Sequence, residues 1–239
     1  MLPALRGAIG QMAFGSVGQD RVHVFGEVPA VAGIPDLVAV RFDEEAIRAR
    51  KAAGVLPLAT ESEVRIAQEA ATPCTASELA QRVGLSADYL RRVVLPGLQD
   101  SGWLERDGPY FQRTRTALDV GQRVVTVEAK LRDWRRAFSQ AKRQGRSADA
   151  AYIAVPAATA RLMGADLEAI ASRGIGVISV GPPAQKPRVL IRPVRIPSAT
   201  TRVGRMLLAE RALALHLQGH TEGQVSPVFG WVLPEDFRP

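Results

Sequence analysis

Two carboxylates and an amine, Asp36, Glu128 and Lys130, are the side chains best suited to catalysis. Glu128-Ala129-Lys130 ends a run of apolar strand formers, Val124-Val125-Thr126-Val127, and leads into a basic helix. On a strand, residues two apart point the same way, about 6.6 Å from each other. Glu128 and Lys130 therefore share a face and Ala129 takes the other. A carboxylate and an ammonium at a strand end cost free energy to desolvate, so such a pair calls for a use. Far upstream, Asp36 stands at the start of a second apolar run, Leu37–Phe42. Two carboxylates can hold a hard divalent cation such as Mg²⁺, which prefers oxygen ligands and keeps several waters. An amine beside them stabilises developing negative charge or orients a water. The set suits metal-dependent hydrolysis of a phosphodiester. The Ala129 carbonyl is a candidate third metal ligand, and Glu27 a further metal or water contact. The plain alternatives are a surface ion pair for Glu128 and Lys130, worth little in stability, and a turn residue for Asp36.

Positioning these groups falls to the surrounding elements. Residues 1–15 carry a weak helical pattern in Leu5, Ile9 and Met12. Arg21–Val28 and Pro35–Phe42 alternate as strands about a turn at Gly33, predicting an antiparallel hairpin with Glu27 and Asp36 at one end. From Gln122 the chain predicts a strand and then a helix, Asp133–Gly145, with Trp134, Ala137, Phe138 and Ala141 on one face and Gln140 on its flank. A strand Ala151–Val155, a helix Ala158–Arg173, a strand Gly176–Val180 and an extended piece Val189–Ile196 follow. Ser198 is placed to cap a last helix, Arg202–Leu217, with an apolar face of Val203, Met206, Leu207, Leu213 and Leu217.

Residues 43–118 read differently. Asp43–Lys51 is a charged helix, and Gly54–Pro57 breaks it. Thr60-Glu61-Ser62-Glu63 and Thr75-Ala76-Ser77-Glu78 are capping boxes, each opening a helix. Ser86 caps a further helix through Leu90, Val93 and Val94. Trp103–Arg106 and Tyr110–Arg113 then flank Asp107-Gly108, a two-residue hairpin turn. Pro96 predicts that the third helix is interrupted or ends early.

Charge follows the same division. The chain of 239 residues carries +7 at neutral pH and 46% hydrophobic residues. Residues 43–118 hold 10 Lys and Arg against 11 Asp and Glu, whereas the remainder holds 21 against 13. The basic excess lies in the outer segments and favours nucleic acid as partner, Arg forks being suited to phosphate. A single cysteine, Cys74, excludes a disulfide framework within the chain and points to a reducing compartment. No apolar run approaches the roughly 20 residues needed to span a bilayer. No signal peptide is evident, so the expectation is a cytoplasmic protein without a membrane partner. His216 and His220, four apart, lack the further ligands of a zinc site.

Pro35-Asp36 on one strand, Glu128-Ala129-Lys130 on the next and a following helix bearing Gln140 resemble the PD-(D/E)xK nuclease superfamily. Ser77–Arg113 resembles winged helix-turn-helix domains through the Leu85-Ser86 turn and Tyr89-Leu90-Arg91-Arg92. These resemblances imply an α/β restriction-endonuclease-like core, a mixed central sheet flanked by helices, over residues 1–42 and 119–239. A mostly α winged-helix domain would be inserted at residues 43–118. They imply a Mg²⁺- or Mn²⁺-dependent DNA endonuclease in which Asp36, Glu128 and the Ala129 carbonyl hold metal. Lys130 would act on the water and phosphate, with Gln140 and Glu27 in support. Arg132, Arg135, Arg136, Arg91 and Arg92 would contact nucleic acid, the winged helix being equally readable as a protein-contact module, and a homodimer would serve cleavage of both strands. The competing reading is a DNA-binding protein or regulator that keeps the nuclease fold without turnover.

Overall fold

Leu5, Ile9 and Ala13 recur at helical spacing, and helix α1 (Leu2–Phe14) buries all three. Pro3 sits in its first turn, where a missing N–H is no loss. Strands β1 (Val22–Gly26) and β2 (Leu37–Phe42) pair antiparallel, from Val22 opposite Arg41 to Gly26 opposite Leu37. The computed structural model describes residues 1–15, 21–164, 166–194, 199–223, 225–226 and 230–231. The chain divides into two compact units, Met1–Phe42 with Gly121–Pro239, and Asp43–Val120.

The second unit opens on α2 (Glu44–Ala52), capped by Asp43, whose carboxylate accepts from the amides of Glu45 and Ala46. Both capping boxes form: Thr60 with Glu63 opens α3 (Glu61–Glu69), and Thr75 with Glu78 opens α4 (Ala76–Val83) directly after β3 (Cys74–Thr75). Gly84 ends α4 in the left-handed conformation, at φ 70°. Ser86 caps the short α5 (Ala87–Tyr89). Pro96 does not end the helical path. Residues Leu90–Val94 form a π-type turn in which the Leu95 amide reaches back to the Leu90 carbonyl. Pro96 then falls in the first turn of α6 (Leu95–Asp100), where its missing N–H leaves no bond unmade. Strands β4 (Leu104–Asp107) and β5 (Tyr110–Arg113) make the expected hairpin, and β3 joins it in the order β3-β5-β4. The unit extends to Val120 rather than 118. Leu118 offers its carbonyl to Arg50, and the Val120 carbonyl accepts from the Asp43 amide at 2.8 Å.

The first unit resumes with β6 (Gly121–Ala129), α7 (Trp134–Gln144), β7 (Ala150–Pro156), α8 (Ala157–Leu162), α9 (Asp166–Ala171), β8 (Gly176–Val180) and β9 (Arg188–Ile191). Helix α10 (Ala199–Leu217) and a ribbon of β10 (Val225–Ser226) and β11 (Gly230–Trp231) complete it. The large sheet runs β1-β2-β6-β7-β8-β9. It is antiparallel from β1 to β6, parallel through β7 and β8, and antiparallel again at β9. This is an α/β unit with a mixed six-stranded sheet flanked by helices.

Alternation along the strands sets two apolar layers. Leu37, Ala39, Val125, Val127 and Tyr152 pack with α1 on one face. Ala151, Ile153, Val155 and Val177 pack with α7, α8 and α9 on the other. The helix expected over 158–173 is two helices, because Gly164 turns left-handed at φ 42° between them. On α10, Met206, Leu207 and Leu213 are buried as expected, but Leu217 is 49% exposed in the last turn. Ser198 and the end of the Val189–Ile196 piece lie outside the described residues. No helix among the described residues is long and apolar enough to cross a membrane.

Candidate functional site

Strand β6 lies at the point where the sheet changes from antiparallel to parallel pairing, and its carboxyl end carries the candidate residues. Leu37 pairs with Val127 across β2 and β6, so extending that register by one residue sets Asp36 across from Glu128 on the same face. The Ala129 amide donates to Asp36 Oδ2 at 2.6 Å, across 93 residues of sequence. Lys130 Nζ lies 2.8 Å from Glu128 Oε1 and 3.8 Å from Asp36 Oδ2. One amine therefore touches one carboxylate and lies within ion-pair reach of the other.

Burial is graded across the three side chains. Glu128 is 1% exposed, while Lys130 is 30% and Asp36 26%. A buried carboxylate demands donors on its lone pairs, and Glu128 has them: Lys130 on Oε1 and Gln144 Nε2 on Oε2 at 2.8 Å. Burial by itself would lower the Lys130 pKa. The hydrogen bond to Glu128 and the charges of Asp36 and Glu128 outweigh burial and the repulsion from Arg136, and hold the amine above the usual lysine value.

The helix amide that reaches Glu128 is thus Gln144, not Gln140. Ala137, Ala141 and Gln144 form the buried stripe of α7, and Gln140 falls beside it. Gln140 makes no hydrogen bond to Asp36, Glu128 or Lys130, and its buried Oε1 has no partner. The signal for Gln144 was present in the sequence: the apolar stripe continues three residues past Ala141, and a polar side chain at a buried position needs a partner. Glu27 is exposed and left-handed, at φ 52°, rare for a residue with a Cβ. Its amide lies beside the Asp36 carbonyl at 3.5 Å, so its backbone flanks the site.

Among the arginines, Arg135 pairs with Asp166 at 3.5 Å and lies over the Trp134 ring. Arg132 and Arg136 are exposed at the start of α7 without a carboxylate partner among the described residues. In the second unit Arg92 pairs with Asp88 at 3.1 Å, whereas Arg91 donates to Ser77 Oγ at 3.0 Å.

Among the described residues no cluster of three or more His, Cys, Asp or Glu side chains is placed to hold a metal. Two carboxylates are donors of the type Mg²⁺ takes, and a cation here would displace Lys130 or Gln144 from Glu128, whose two oxygens they occupy. Comparison with protein-family models, curated proteins and solved structures finds no match to this chain.

Proposed function

We propose that this protein is a Mg²⁺- or Mn²⁺-dependent DNA endonuclease, built on a restriction-endonuclease-like core of the PD-(D/E)xK kind. The inserted Asp43–Val120 unit acts as a winged helix-turn-helix. The observation that carries the reading is the meeting of Asp36 and Glu128, from distant segments, around the single amine of Lys130. Asp36 and Glu128 would hold the cation. When bound, the cation supplies an activated water and neutralises charge on the phosphate. Lys130 acts as an ammonium that meets the negative charge building on the phosphate oxygens. Gln144 holds the Glu128 carboxylate in one orientation, and its Oε1 remains to accept from a neighbouring N–H or water. Arg132 and Arg136, exposed and without a carboxylate partner among the described residues, contact the substrate backbone and raise its local concentration at low salt.

The test is incubation with plasmid and with branched DNA in Mg²⁺ or Mn²⁺. Cleavage that requires metal and is lost in Lys130→Ala and Asp36→Ala supports the reading. Absence of cleavage on every substrate, or cleavage that survives both changes, overturns it. A second reading, DNA binding without turnover, is favoured by one observation: both Glu128 oxygens already have protein donors. It expects salt-sensitive binding that is indifferent to divalent metal and to Asp36→Ala.

A further inference from the structure

The second unit holds a cavity of about 370 Å³ between the start of α4, the helical path around Leu95 and the β4–β5 hairpin. Its polar lining is Ser77, Arg91, Gln99 and Arg106 together with Thr75, and no carboxylate lines it. Leu95, Pro96 and Phe111 supply an apolar wall. The size is that of sites taking small organic ligands. Charge selects what enters. Elsewhere in the unit Arg65, Arg82 and Arg92 are countered by Glu61, Glu69 and Asp88. The two cavity arginines have no acidic partner among the described residues. Arg91 is held by Ser77 Oγ. Arg106 is held by the Gly108 carbonyl at 2.8 Å, with its guanidinium 5.6 Å from the Phe111 ring centroid. Each guanidinium is set in place by one bond, and a guanidinium has five N–H donors. Because residues 43–118 carry one more acid than base, this positive pair is a local feature and not a spill-over from a basic unit.

We propose that this cavity binds a nucleoside phosphate, with the phosphate between Arg91 and Arg106 and the carbon-rich part against Leu95, Pro96 and Phe111. Two guanidinium charges match a phosphate monoester, which carries close to two negative charges at neutral pH, and their forks fit its oxygens in pairs. A metal ion is repelled from the same place. The ligand is either a free nucleotide or the 5′-phosphorylated end of a strand. The proposal uses the geometry of this unit alone and does not rest on the catalytic reading.

The test uses the full chain in EDTA, so that no metal-dependent event contributes. Calorimetric titrations are run with adenosine 5′-monophosphate, adenosine, and a short single-stranded oligonucleotide with and without a 5′-phosphate. Arg91→Ala and Arg106→Ala, both exposed positions, are each expected to weaken binding of the phosphate-bearing probe about tenfold or more. Arg65→Ala, which removes the same charge outside the cavity, leaves it within about twofold. Binding of the monophosphate but not adenosine identifies a free-nucleotide site. Binding of the oligonucleotide that needs its 5′-phosphate and both arginines, without binding of the monophosphate, identifies a strand end. If neither the monophosphate nor the 5′-phosphorylated oligonucleotide binds more tightly than its unphosphorylated counterpart, or if neither arginine change weakens binding, the proposal is overturned.

Discussion

Glu128 in the six-stranded sheet and Arg50 in the inserted unit are each 1% exposed, yet their surroundings differ in kind. The Arg50 guanidinium donates to the Leu56 carbonyl at 2.9 Å and lies 4.7 Å over the Trp103 ring. Trp103 in turn donates from Nε1 to the same carbonyl at 2.7 Å. The Leu56 carbonyl and the Trp103 ring belong to the unit's own core. Glu128 is bonded to an ammonium and an amide, and that ammonium is itself 30% exposed and shared with Asp36. The Arg50 side chain is anchored within the core of its own unit. At Glu128 the partner reaches solvent and lies within ion-pair reach of a second carboxylate.

Substitution separates the two charges. The largest effect is expected at Lys130: Lys130→Ala slows cleavage about 10²–10³-fold, the usual loss on removing one group that stabilises transition-state charge. The check is single-turnover cleavage with circular dichroism to confirm folding. Arg50→Ala is expected to cost about 2–4 kcal/mol of stability, from the cavity beside Trp103 and a carbonyl left short of a donor. Cys74 is the one cysteine and is buried in the same unit, and burial pushes its thiol pKa up. Its labelling rate in urea therefore reads that unit's opening. Equal loss of cleavage in Arg50→Ala at full folding would erase the distinction drawn here.

Gln144→Ala is expected to come next, weakening metal affinity about 10–100-fold, as loss of a group orienting a metal ligand does. Gln140→Ala should change it little. The reverse order would return the role to Gln140. The smallest effect concerns pH. Lys130 titrates above its unfolded value, so its contribution to stability is complete below the ordinary lysine pKa of about 10.4 and is lost as pH rises through the folded pKa. Wild-type stability should thus fall more steeply above that pH than Lys130→Met stability.

Local rules read the helix starts well. Thr60 with Glu63 and Thr75 with Glu78 needed only residues three apart, and both boxes form. The strand runs were legible from apolar alternation, and Asp107-Gly108 marked its hairpin despite Pro109. What failed was settled by contacts distant in sequence or by backbone freedom within a run. The apolar pattern of 158–173 continues across Gly164, and periodicity does not see a left-handed turn. Pro96 argued for an interruption or an early end, and the helix is interrupted by a wider hydrogen-bonded turn without ending. Asp36 and Glu128 were joined only by the order of motifs, because no local rule pairs β2 with β6 across the intervening unit. Gln144 was passed over because it carries an amide where the stripe had so far shown alanine.

Phe42 and Gly121 are register partners in the large sheet, while Asp43–Val120 forms one uninterrupted stretch. Synthesis therefore fixes an order of events. The inserted stretch is complete on leaving the ribosome, and domains made first fold first. The β1–β2 hairpin must wait through that whole interval with the edge of β2 unpaired, an open template for a neighbouring chain. Slowing translation between Gly121 and Ala129 should then lower soluble yield more than the same pause placed after β9.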